Sequence, residues 1–96
     1  MTVTRERFDD RSEPDDEVAY RYAGTVYRFE SRGRALVARS YDDTPERISF
    51  LRWEHARFNG RPRGRAFDAA VRYARERLGK TDVRFLGPRG YVRVEG

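Results

Sequence analysis

The sequence predicts an α+β fold, with an antiparallel sheet packed on one amphipathic helix in the order β-β-β-α-β-β. Three features carry that expectation. Apolar and polar residues alternate in short runs through residues 18–53, a helical apolar repeat follows at 67–78, and two short extended runs lie near the end. Glycine and proline clusters separate these segments where a chain of this pattern must turn.

Residues 1–17 (MTVTRERFDDRSEPDDE) come before the pattern. Their dense mixed charge and lack of a period mark them as a disordered acidic leader, leaving residues 18–96 as a single domain. Val18, Tyr20 and Tyr22 alternate with Ala19, Arg21 and Ala23, as a half-buried strand requires. Gly24 interrupts before residues 26–30 resume the extended pattern, so it marks either a bulge in one long strand or a turn between two short ones.

Ser31-Arg32-Gly33 is a tight turn into a second strand, Arg34–Tyr41, and Asp42-Asp43-Thr44-Pro45 is the turn into a third. That third strand, residues 48–53, is apolar on both faces, with Ile48 and Phe50 on one and Leu51 and Trp53 on the other. It belongs at the centre of a sheet covered on two sides, or in a closed barrel. Phe67, Ala70, Val71, Ala74 and Leu78 fall on one helical stripe, with Gly79 as the stop. Residues 83–86 and 91–94 flank Gly87-Pro88-Arg89-Gly90 as a terminal hairpin. The same order of elements is that of the OB-fold, so a small OB-like barrel is the alternative architecture.

Composition narrows the functional classes. The chain has 96 residues and no cysteine, which excludes disulfide scaffolds, thiolate metal sites and thiol catalysis. A single histidine, His55, argues against a histidine-based metal site. No apolar run reaches the roughly 18 residues of a membrane span, so the expected setting is cytoplasmic, without membrane contact. No phosphate-binding glycine loop, dinucleotide motif or serine-nucleophile elbow is present, and no cofactor is expected. Glu54, His55 and Arg57 are the one grouping with the groups for phosphoryl transfer. Consecutive residues leaving a strand point different ways, so no enzyme is expected.

Charge provides the positive signal. The formal net charge is +5, and Lys80 is the only lysine among 21 basic residues. Residues 1–17 carry three arginines against seven acids, so the remainder is strongly basic. Between residues 57 and 77 seven arginines stand against Asp68 and Glu76. Glycines there let backbone approach a phosphate, and guanidinium forks bind it with two bonds.

The leading expectation is therefore a non-catalytic nucleic-acid-binding domain, taking DNA or RNA. In it Arg57, Arg61, Arg63, Arg65, Arg72 and Arg75 hold phosphates, and Tyr20, Tyr22 and Trp53 offer rings to bases. The alternative is a small protein-interaction or inhibitor (immunity-type) module that applies the same patch to an acidic protein surface. Read without function, the patch is a solvated helix face with Asp68 paired to Arg72, and the rings are core.

Overall fold

The computed structural model describes residues 1–11, 21–54 and 64–95. Among them β1 (Thr2–Arg11), β2 (Arg21–Ser31), β3 (Arg34–Tyr41), β4 (Arg47–Glu54), β5 (Asp82–Gly87) and β6 (Gly90–Arg93) lie side by side in chain order. The helix α1 (Arg65–Glu76) falls between β4 and β5. The α+β class and the helix position are as predicted. The barrel alternative is not, because β1 and β6 are opposite edges of an open six-stranded sheet. One pair also departs from antiparallel order: β4 and β5 run parallel, which the long crossover through α1 allows.

The extra strand is β1, in the segment expected to be a disordered leader. Thr2 to Arg11 pair in unbroken register with Glu30 to Arg21 of β2. What holds this charged strand is specific. Val3 packs against the core, and Arg7 reaches across β2 to bond both oxygens of Asp42, at 2.7 and 2.6 Å. Phe8 lies over Gly24 on the other face. Residues 12–17 of the expected leader, and the start of the strand expected from Val18, lie outside the described residues.

Gly24 is neither bulge nor turn. It sits in register between Phe8 of β1 and Tyr41 of β3 inside one continuous strand. A Cβ there would stand 2.1 Å from the Ser40 carbonyl oxygen and 2.9 Å from the Phe8 ring, so only glycine fits. The β2–β3 hairpin closes as predicted, in a two-residue loop with both Arg32 (φ 52°) and Gly33 (φ 77°) in the left-handed region. That is the primed turn whose twist suits a hairpin. The β5–β6 hairpin closes with Gly87 opposite Gly90.

The expectation that β4 is covered on both faces is corrected by a bulge. Val37 opposes Arg52 and Ala38 opposes Phe50, which leaves Leu51 without a partner across the ladder. The extra residue reverses the alternation. Ile48, Phe50 and Trp53 therefore all face one layer, although their spacing in the chain puts Trp53 on the other side. That layer is the core: Tyr27, Phe29, Leu36, Ala38, Ile48, Phe50, Val83 and Phe85 from the sheet, against Phe67, Ala70, Val71 and Ala74 of α1. The rings of Phe29, Phe50, Phe67 and Phe85 form a chain of contacts with centroids 5.3–6.2 Å apart. A few large rings thus fill a core that has few aliphatic residues.

Lys80 follows α1 and is buried. Its Nζ donates to Ser40 Oγ at 3.0 Å and to the Pro45 carbonyl at 2.6 Å, and lies 6.0 Å from the Tyr27 ring centroid. Burial lowers its pKa from the usual lysine value, against a smaller opposing pull from Glu46. Ser40 Oγ in turn donates to the Arg47 carbonyl at 2.7 Å. A compact ammonium makes these bonds; a planar guanidinium needs more room.

Two stability measurements follow. Lys80→Arg loses about 1–3 kcal/mol in urea unfolding through overpacking, while Arg89→Lys on the exposed hairpin stays within about 0.5 kcal/mol of the parent. Gly24→Ala loses at least about 1–3 kcal/mol, because backbone as well as a ring must move. Parent-like midpoints for Lys80→Arg and Gly24→Ala contradict these placements.

Candidate nucleic-acid interface

Two charged surfaces flank the core among the described residues. One is the sheet face opposite α1, carrying Arg28, Arg39, Arg52 and Arg84. The other is the solvent side of α1, where Arg65, Asp68, Arg72 and Glu76 are exposed. Phe67, Ala70, Val71 and Ala74 face inward, so positions 65 and 72, two turns apart, share the outward stripe.

Arginines on the sheet face are largely occupied by the protein's own acids. Arg28 is paired with Glu54 and approaches Glu30 at 3.8 Å. Arg52 meets the same Glu54 at 3.5 Å. Arg47 and Arg84 converge on Asp82, with Nε atoms 2.9 and 3.0 Å from its two oxygens. Hydrogen bonds from Arg84 and then Arg47 hold the Asp82 carboxyl below the usual aspartate pKa, outweighing its partial burial.

Arg39 is held differently. Its guanidinium lies 5.4 Å from the Phe8 ring centroid and 5.9 Å from that of Tyr41, and Nη1 donates to Tyr41 Oη at 3.1 Å. Its Nε is buried without an acceptor. With Tyr22, 6.2 Å from the Tyr41 ring centroid, these residues line a shallow depression of about 460 Å³ that includes Asp9 and Val26. The grouping was hidden in the sequence because Phe8 lay in the supposed leader.

On α1 the pattern is reversed. Arg65, Arg72 and Arg77 form no ion pair among the described residues, and the Asp68–Arg72 pair expected of a solvated helix face is not made. Arg75 is half-buried and donates from Nη2 to the Val94 carbonyl at 3.1 Å. The helix starts at Gly64, which has no side chain to cap the first-turn amides. Asp68 and Glu76 balance Arg65 and Arg72 on the outward stripe, and Arg75 and Arg77 at its margins leave the helix with an excess of two positive charges.

The residues singled out in the sequence are therefore only partly brought together. Arg65 and Arg72 share a surface, with Arg75 at its inner edge. Tyr22 is exposed on the opposite side of the sheet. Trp53 is half-buried against the core, with the Arg34 guanidinium 4.4 Å from its ring centroid. Arg57, Arg61, Arg63, Tyr20 and His55 lie outside the described residues. Among those described, no three acids or histidines are grouped to hold a metal ion, and no helix is long and apolar enough to cross a membrane.

No family model, curated protein or solved structure matches this chain.

The Asp82 cluster predicts an acid response. Since the folded carboxyl titrates lower than in the unfolded chain, its contribution is present above the ordinary aspartate range and is lost as pH falls through the depressed value. Unfolding in urea below about pH 4 should show this loss in the parent, and Asp82→Asn should flatten that part of the profile. Identical acid profiles for the two proteins would remove Asp82 as a source.

Proposed function

We propose that the chain is a non-catalytic nucleic-acid-binding domain that takes phosphates on the solvent side of α1. One observation carries this reading: Arg65, Arg72 and Arg77 are exposed and lack carboxylate partners among the described residues, while most sheet-face arginines are paired internally. An arginine already bonded to a carboxylate gives up that bond to bind a phosphate; an unpaired one gives up only water.

Two further facts support the same surface. The uncapped amides at the start of α1 favour an anion through the helix dipole. The segment entering α1 adds Arg57, Arg61 and Arg63 in sequence. Exposed aromatic rings lie on the other side of the sheet, which separates Tyr22 from these arginines. Binding is thus dominated by backbone charge, with little base reading and no requirement for a single strand.

The test is a salt titration of binding to duplex DNA. Each phosphate that a variant leaves unneutralised should make the log–log salt slope shallower by about 0.9. The double variant Arg65→Ala/Arg72→Ala should weaken binding to all sequences alike and reduce the slope by about 2, whereas Arg52→Ala on the far face leaves it unchanged. No binding by the parent at low salt, or equal binding by the double variant, overturns the proposal. Recovery of an acidic protein instead, after nuclease treatment, would favour the interaction-module reading.

A further inference from the structure

Among the described residues the sheet ends at β1 and at β6, and these two edges differ in what they offer a neighbour. At one end β1 is long, but its side chains defend it. The two antiparallel self-pairings centred on the middle of the strand set Glu6 against Glu6, or Arg7 against Arg7. Like charges directly opposite oppose pairing, a common guard on an exposed edge.

The other end is β6, and it is not guarded. Leu86, Tyr91 and Val92, three of the five large exposed hydrophobics among the described residues, lie on the β5–β6 hairpin, with exposures of 41, 53 and 45%. The Val94 amide donates to the Val83 carbonyl at 2.7 Å, so Val94, Val92 and Gly90 direct their backbone groups toward β5. By alternation Tyr91 and Arg93 direct theirs outward, to an edge where no further strand lies among the described residues.

We propose that β6 pairs antiparallel with β6 of a second copy of this chain, about a two-fold axis at Val92. In that register Tyr91 exchanges both backbone hydrogen bonds with the partner's Arg93. Their side chains stand opposite each other on one face, which sets up a cation–π contact on each side of the axis. Val92 meets its own equivalent on the core face. One step further out, Gly90 faces the partner's Val94, and Arg89 in the turn before β6 comes level with the partner's Glu95 just after it. Every charged position meets an opposite charge or a ring.

The neighbouring registers fail. Shifting the axis to Tyr91 sets Arg93 against the partner's Arg89, and shifting it to Arg93 sets two arginines together. The charges thus select one register and one occupant, a second copy. Because opposite residues share a face, the two core faces lie on the same side of one continuous sheet, and so do both copies of α1. The edge is short, so the dimer belongs with weak, concentration-dependent complexes.

Sedimentation of the chain free of nucleic acid, over a range reaching ~1 mM, tests the proposal. The parent should dimerise as concentration rises. Arg89→Glu and Glu95→Arg should each shift the equilibrium toward monomer, and mixing the two variants should restore a dimer containing one copy of each. Arg93→Pro removes an outward amide that the chain's own ladder does not use, so it should abolish the dimer while leaving the circular dichroism spectrum and the melt unchanged. A monomer throughout the range, a dimer indifferent to these variants, or a mixture no more associated than its components overturns the assignment.

Discussion

A single unpaired residue in β4 sets the phase of the whole sheet. Without the bulge at Leu51, Ile48 and Phe50 would face α1 while Trp53 faced away, and the row Val3–Phe29–Leu36–Trp53 would be without its last member. With it, every large apolar side chain of β4 except Leu51 contributes to one core. This matters because the chain has too few aliphatic residues to fill two layers. The opposite face is left to arginine stems, acids and the Phe8–Arg39–Tyr41 stack. The bulge therefore separates an apolar side from a charged one, and α1 covers the apolar side.

That separation explains what was legible beforehand. β3, β4, α1 and the terminal hairpin follow directly from alternation, the helical repeat and turn residues, because each is a local pattern with a local cause. β1 was not legible. Its strand signal, Thr2-Val3-Thr4 and then Phe8, is weak beside its charges, and its stability depends on partners distant in sequence: Asp42 for Arg7, and Gly24 for Phe8. The bulge was equally hidden, since an inserted residue in β4 looks like a strand with two apolar faces. The parallel β4–β5 pair depends on where the crossover returns the chain, which periodicity does not encode.

Arginine is used in three different ways in this small body. On the strands it forms internal ion pairs, several sharing one carboxylate, as Glu54 and Asp82 do. Over Phe8, Tyr41 and Trp53 it acts as a flat lid on an aromatic ring. At Arg65 and Arg72 of α1 it is exposed and makes no ion pair among the described residues. Counting arginines in the sequence merges these roles, so a stretch dense in charge and a surface available to a ligand are different things. Among the described residues only Arg65 and Arg72 of those singled out satisfy both, and the aromatic positions were assigned without knowing which layer each would enter.

The chain's single lysine has its charged group enclosed. Lys80 Nζ is committed to Ser40 and Pro45, so the folded protein shows no readily accessible side-chain amine. Amine-directed reagents should leave this chain's side chains nearly unmodified while it stays folded. Acylation at Lys80 therefore reports the opening of the corner where α1 returns to the sheet, giving the molecule a native probe of local unfolding that needs no engineered label.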